Sequence, residues 1–389
     1  MASKATNSGG AALADCEDLM LCVLARLPVK SICRFKSVCK SWNHLFSTQE
    51  FIKTQFKLSS KSKNQSFLVG RVIRKGSNTI SVFNIDSNEK NGCSSNTFNI
   101  EPKAKYRFYH TRVGNTIVGC CNGLVCIKIG QEFVLWNPAL NLSKTVSSPS
   151  KEEDHDMYFS ESCLSLGFGY EAEGDDFKVV RIVWLKKGTT LTMRLSCVEV
   201  YSVNSESWTK IDPGFEFSKL TINRIENSAT VNGNPYWAVK LYKNDVLVCF
   251  DMSKLVFKIV PLSSLDYNRA EQGIEFVVSL NGSLGALVSA WDQNEQGTEY
   301  VDSWVFDDDG EQQIWTKSHS VRLIDQVKMD PVLRSLKDGR VLGMSPERQL
   351  IVFNSETKRV EDLFYVGHNN YEICDYTESM AYIKGMEKV

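Results

Sequence analysis

Apolar positions in residues 15–52 recur at spacings of three and four, the helical period. Leu19, Cys22, Val23, Leu24 and Leu27 line a first predicted helix, which Asp15 or Asp18 caps and Pro28 stops. A second is expected from Ser31 and carries Ile32, Phe35, Val38 and Cys39. A third carries Trp42, Leu45 and Phe46 and leads into Phe51 and Ile52. Residues 1–14, small and polar, read as a flexible tail. The Lys- and Ser-rich residues 53–64 read as a linker.

From Gln65 the texture changes to short β-branched and aromatic runs separated by turn residues, as expected of many strands. One unit recurs: an apolar residue, an aromatic, then Asp, Asn or Ser. Its aromatics are Phe83, Trp136, Tyr201, Phe250, Phe306 and Phe353. Asn122-Gly123, Asn232-Gly233, Asn281-Gly282 and Asp338-Gly339 supply hairpin turns upstream of four copies. Each unit reads as four strands that cannot bury an apolar face alone, so the units must pack side by side. Residues 65–389 then divide into roughly 54 residues per unit for six blades or 46 for seven, close to known propeller repeats. The expected fold is a small all-α piece followed by a large all-β domain, a six- or seven-bladed β-propeller, with a pair of β-sandwiches as the alternative. Seven of the eight tryptophans fall in this part and are expected as wedges between blades.

The helical piece poses a packing problem. About 40 residues are near the lower limit for an independent core, yet this stretch is densely apolar. Its surplus apolar surface must dock on the β domain or bind another protein.

Charge adds little: 45 basic against 46 acidic residues give a net charge of −1, which offers no global grip on nucleic acid or an anionic membrane. Lys103 to Tyr109 mixes basic and aromatic residues but alternates like a strand. No secretory or membrane-spanning stretch is read, so the chain is expected in the cytoplasm, with the nucleus as a second compartment. The twelve cysteines are then expected to be mostly reduced and to act as small hydrophobes, with no metal-binding spacing. The five histidines are scattered, Asp307-Asp308-Asp309-Gly310 lacks the offsets of a calcium loop, and Asp175-Asp176 reads as a turn before a strand. No cofactor, metal or catalytic residue is expected.

Specific runs carry a resemblance. Arg26-Leu27-Pro28-Val29-Lys30-Ser31, Arg34 to Trp42, and Phe51-Ile52 resemble the F-box of plants. Cys121-Asn122-Gly123-Leu124-Val125-Cys126 with Leu135-Trp136-Asn137-Pro138, and Gly167-Phe168-Gly169-Tyr170 with Asp175 to Arg181, resemble the plant F-box-associated, kelch-like domain. The match spans about residues 15–365 and departs at the entry, where Asp15-Cys16 stands in place of the usual Leu-Pro.

The resemblance implies an F-box at 15–52, a linker at 53–64 and a substrate-binding domain at 65–389. It implies a non-catalytic receptor that binds a Skp-type adaptor, and through it cullin and a RING protein. The β domain would capture a target protein for ubiquitination and proteasomal degradation, with no role for nucleic acid or membrane. Leu19, Leu24, Leu27, Pro28, Ile32, Phe35, Val38, Cys39 and Trp42 match the family's adaptor-facing and framework positions. The residues that hold the target are unknown.

Overall fold

The computed structural model describes residues 20–62, 65–72, 78–85, 93–100, 116–149, 159–187, 192–241, 245–262, 265, 273–280, 282–292, 298–308, 312–323, 327, 329, 331–365 and 371–389. Among the described residues the helical part has four segments rather than three. α1 covers residues 20–24. Pro28, at φ −57°, is the N-cap of α2 (Val29–Phe35), so this helix starts two residues before Ser31; proline's fixed φ suits helix entry, where a missing N–H loses nothing. α3 (Lys40–Leu45) ends before Phe46, and α4 (Gln49–Ser60) restarts from Thr48, whose Oγ1 accepts from the Phe51 N–H at 3.3 Å. Helix α4 therefore runs through the first eight residues of the stretch expected to be a linker. Phe51, Ile52, Gln55 and Leu58 recur on its inner side, and the lysines at 53 and 57 lie off that row.

Among the described residues that follow, the regular structure is β-sheet apart from one short helix, α5 (Phe215–Ser218). β1 (Gln65–Val72), β2 (Asn78–Ile85) and β3 (Cys93–Ile100) begin it. β4 (Thr116–Cys121), β5 (Leu124–Ile129), β6 (Glu132–Asn137) and β7 (Leu142–Ser147) make the next unit. Then come β8 (Phe159–Glu171), β9 (Asp176–Lys187), β10 (Met193–Ser202) and β11 (Ser207–Ile211), followed by β12 (Thr221–Val231), β13 (Asn234–Leu241), β14 (Asp245–Asp251) and β15 (Val256–Val260). Two further units are β16 (Gly273–Leu280), β17 (Ser283–Asp292), β18 (Thr298–Asp308) and β19 (Gln313–Arg322), and β20 (Val332–Ser335), β21 (Val341–Met344), β22 (Gln349–Asn354) and β23 (Arg359–Tyr365). Finally β24 (Tyr371–Tyr376) returns to pair with β1, Ser66 opposite Tyr376 through Arg71 opposite Tyr371, which closes the ring. β25 (Glu387–Lys388) adds to the edge of β7.

The described strands form five hydrogen-bonded sheets, not six or seven blades. The physical reason is edge pairing. β10 and β12 hydrogen-bond over Met193–Ile222 and Arg194–Thr221, which fuses two four-stranded units into one eight-stranded sheet. Repeat arithmetic counts those units separately. β24, β4, β8, β12, β16 and β20 follow one another in contact around the centre, as expected of a ring rather than a pair of sandwiches.

The repeat itself is in register. Every recurring aromatic lies on the third strand of its unit: Phe83 on β2 beside β24 and β1, Trp136 on β6, Tyr201 on β10, Phe250 on β14, Phe306 on β18 and Phe353 on β22. Trp136, Tyr201, Phe250 and Phe353 are buried. The turns at Asn122-Gly123, Asn232-Gly233 and Asp338-Gly339 join first to second strands, with Asn122 and Asn232 at positive φ as such hairpins require, while Asn281 lies outside the described residues. Trp136, Trp184, Trp237, Trp304 and Trp315 are buried, Trp208 is half-buried and donates to the Ser147 carbonyl of the neighbouring unit at 2.8 Å, and Trp291 lies outside the residues whose side chains are described.

Candidate functional site at the helical face

The four helices have two apolar sets with different fates. Leu24, Ala25, Val29, Ile32, Phe46 and Phe51 are buried in one cluster. Phe35, Trp42, Phe46 and Phe51 run through it as a row of aromatic contacts, with centroids 5.6, 5.8 and 5.0 Å apart at mutually tilted angles. A second set stays in solvent. Val23 is 56% exposed and Val38 62%, and Met20, Pro28 and Cys39 are exposed with them.

What covers the inner set is the propeller's own C-terminal segment. Met380, buried, belongs to the same cluster, and Ala139 and Leu140 after β6 pack against it. Its Sδ lies 4.0 Å from the Cys33 Sγ. Polar contacts hold the rest of α4. The buried Gln55 Nε2 donates to Ser59 Oγ at 2.9 Å and reaches the Glu378 carbonyl at 3.5 Å. Lys53 pairs with Asp175 at 3.0 Å. The Tyr170 hydroxyl donates to the same carboxylate. That hydrogen bond, then Lys53, holds the Asp175 carboxyl below its ordinary pKa against the opposing effect of burial. Lys337 Nζ donates to the carbonyls of Ser60 (3.0 Å) and Ser62 (2.8 Å), a cation at the C-terminal end of α4, where the helix dipole favours one.

The residues singled out in the sequence thus divide. Leu24 and Ile32 are inside the cluster; Leu27, Phe35 and Trp42 are half-buried at its boundary; Pro28, Val38 and Cys39 face solvent. Leu19, Asp15 and Cys16 lie outside the described residues. The Cys39 thiol is held below its ordinary pKa, chiefly by the Ser41 hydroxyl at 3.3 Å and next by the Trp42 N–H. Met20 and Val23 join the solvent-facing apolar set, and Gln55, Lys53 and Met380 are contact residues that the motif resemblance does not include. The one available signal was the three- and four-residue spacing of Phe51, Ile52, Gln55 and Leu58, masked by the surrounding lysines and serines.

The F-box domain matches residues 16–54, and the F-box associated beta propeller domain matches residues 71–383. The chain belongs to the plant F-box proteins with an F-box-associated propeller. An F-box/kelch-repeat protein of Arabidopsis thaliana is 26% identical over 376 residues, covering 95% of this chain and 94% of the relative. A putative F-box protein of the same plant is 23% identical, covering 92% and 91%. Among solved structures, apo AztD from Citrobacter koseri aligns with a TM-score of 0.36 at 10% identity, over 82% of this chain and 99% of that one. An F-box implies binding of a Skp-type adaptor, and F-box proteins are generally non-catalytic subunits.

The signature of the F-box-associated propeller has a packing reason here. A Cβ on Gly169 would lie 2.1 Å from the Gly233 carbonyl oxygen, and the Tyr170 N–H donates to that oxygen at 2.9 Å. Only glycine lets β8 approach the β12–β13 hairpin this closely. Asp176 accepts from the Asn204 N–H at 3.0 Å, and Lys178 bonds Glu171 and the Met252 carbonyl, so the charged members tie neighbouring strands together. Among the described residues no group of His, Cys, Asp or Glu is arranged to hold a metal, and no described helix is long and apolar enough to cross a membrane. Lys103 to Tyr109, Lys151 to Asp156 and the end of the acidic run at Asp309-Gly310 lie outside the described residues.

Proposed function

We propose that this protein is the substrate-recognition subunit of a Skp–cullin–F-box ubiquitin ligase. The F-box takes the Skp-type adaptor on the face that carries Val23, Pro28, Val38 and Cys39. The adaptor connects to cullin and a RING protein, and the propeller holds a target protein for ubiquitination and degradation in the cytoplasm and nucleus. The chain supplies no catalytic group. It acts by proximity, raising the effective concentration of target lysines near the loaded conjugating enzyme.

The observation that carries this reading is the division of apolar side chains. The inner set is already covered by Met380, Ala139 and Leu140, so the exposed Val23 and Val38 are not left over from the propeller contact. Exposed aliphatic side chains on so small a helical unit favour a partner that buries them. The α4 contacts of Lys53, Gln55 and Lys337 also favour a fixed bearing between adaptor and target.

The test is reconstitution with purified adaptor, cullin, RING protein and conjugating enzyme, using the full chain and its V23D/V38D variant. Point variants are preferable to deleting 15–52, which would uncover Met380 and Leu140. The wild type should bind the adaptor and support ubiquitin transfer to a target found by crosslinking mass spectrometry, and the variant should lose both. Adaptor capture without any transfer would separate the binding role from the degradative one.

A further inference from the structure

Cys120 and Cys374, 254 positions apart in the chain, form a disulfide with their Cα atoms 6.2 Å apart. They are not on neighbouring strands of one sheet. Cys120 lies on β4, the innermost strand of its sheet, and Cys374 lies on β24, the returning strand that closes the ring against β1. Without the sulfur bridge, β4 and β24 are held by side-chain packing, because no ladder joins them.

Both cysteines are half-buried and line one small central cavity with Ile117, Thr230, Arg334 and Asp375. Both are partly exposed, whereas the neighbouring Cys121 and Cys126 are buried. Cys121 and Cys126 are buried in the same sheet, and burial pushes the Cys121 thiol up to about 12 and Cys126 well above its ordinary range. The Arg334 guanidinium, bonded to Asp375 and to the Ile373 carbonyl next to Cys374, brings a cation beside the pair, and the Asp375 carboxylate offsets part of it.

We propose that Cys120 and Cys374 are a reversible thiol–disulfide latch on ring closure, operated by glutathione. In the closing direction one cysteine thiolate attacks a sulfur of glutathione disulfide, forms a mixed disulfide and releases one glutathione thiolate. The second cysteine thiolate attacks the protein sulfur of that mixed disulfide and releases the second glutathione. The two cysteine sulfurs lose two electrons in total, and glutathione disulfide gains them. The two thiol protons pass through water to the two glutathione thiolates. Closing the latch encloses residues 120–374, which hold β5 to β23, in one covalent loop, and long loops lose the most freedom in the unfolded chain. The latch also anchors β24, which continues directly into the segment carrying Met380 beneath the F-box. It makes no use of the ligase assignment and stands apart from it.

The experiment equilibrates the purified full chain in glutathione buffers of stepped oxidised-to-reduced ratio, traps free thiols with N-ethylmaleimide and maps peptides by mass spectrometry. A Cys120–Cys374 linked peptide should appear in oxidising buffers, vanish in reducing ones and follow a single two-electron midpoint. The oxidised chain should melt at least about 5 °C above the reduced chain, a difference that Cys374→Ser should abolish. The proposal is overturned if the linked peptide does not form in the most oxidising buffer, if Cys120 pairs with another cysteine, or if the linked and reduced chains melt together. The peptide map uses the wild type, so a poorly folding variant does not blunt the test.

Discussion

Asn137 and Ser379 are joined across 242 residues: the Asn137 Nδ2 donates to the Ser379 carbonyl at 3.0 Å and to the Ala381 carbonyl at 2.7 Å. Its Oδ1 accepts from the N–H groups of Ala139 and Leu140, so one fully buried amide pins the C-terminal segment below the F-box and shapes the loop that packs beside it. Asn137→Leu leaves these groups buried without partners. We expect a loss of about 2–5 kcal/mol, read as a lower urea midpoint at unchanged slope. A change under about 0.5 kcal/mol would show that water or a shifted tail replaces the amide.

Two glycines at nearly equal φ separate backbone strain from crowding. Gly282 (φ 89°) has nothing within 4 Å of where a Cβ would sit, whereas on Gly123 (φ 80°) that atom would lie 2.2 Å from the Ser379 Cβ. Gly282→Ala should cost about 1 kcal/mol from conformation alone. Gly123→Ala should cost about 3 kcal/mol, because the tail must also move. Equal losses in thermal melts would refute the close approach.

Val38 and Ile32 are both apolar F-box residues with opposite surroundings, 62% exposed and fully buried respectively. Val38→Asp should leave the fold within about 0.5 kcal/mol of wild type and weaken adaptor binding at least about tenfold. Ile32→Asp should instead melt the helices, because a lone buried carboxylate has no partner there. Calorimetric titration with the adaptor, beside circular dichroism, distinguishes the two.

Thiol reactivity should follow the surroundings of each cysteine. Cys39 is exposed and held more acidic by Ser41 and the Trp42 N–H, whereas burial pushes Cys249 up to about 11 and Cys121 to about 12. A short iodoacetamide pulse at neutral pH should label Cys39 well before Cys249 and Cys121. Bound adaptor should slow that labelling; unchanged kinetics in the complex would place the adaptor elsewhere.

The Lys53–Asp175 contact has a defined pH direction. The folded-state pKa of Asp175 lies below its unfolded value, so its contribution is present above the unfolded value and fades as pH falls through the depressed folded one. Both ends are substantially exposed, which keeps the contribution below about 1 kcal/mol. Hydrogen exchange of the α4 amides should be faster in Asp175→Asn than in wild type at neutral pH, and the gap should narrow as the pH falls through the depressed folded-state pKa. A gap that persists in acid would assign the effect to Tyr170 packing.

Much of this arrangement was legible from local pattern. The three- and four-residue spacing around Ile32, Phe35 and Trp42 marks helices, and the Asn-Gly turns mark hairpins between first and second strands, because both depend on residues close in sequence. The placement of Phe83, Trp136 and Phe353 on third strands follows from the same repeat. The helical nature of residues 53–60 is less legible, because lysines and serines dilute the apolar row formed by Phe51, Ile52 and Leu58, and its remaining inward position is the polar Gln55.

By itself the sequence determined a small helical unit with more apolar surface than it can hide, followed by repeated four-stranded β units. Tertiary structure alone decided that two units fuse through Met193 and Arg194, that Met380 covers Leu24 and Ile32 while Val38 stays in solvent, and that Cys120 meets Cys374. The reason is range: periodicity is set within a few residues, whereas the edge pairing joins Met193 to Ile222 across an intervening strand and the Met380 and Cys374 contacts join groups more than two hundred residues apart.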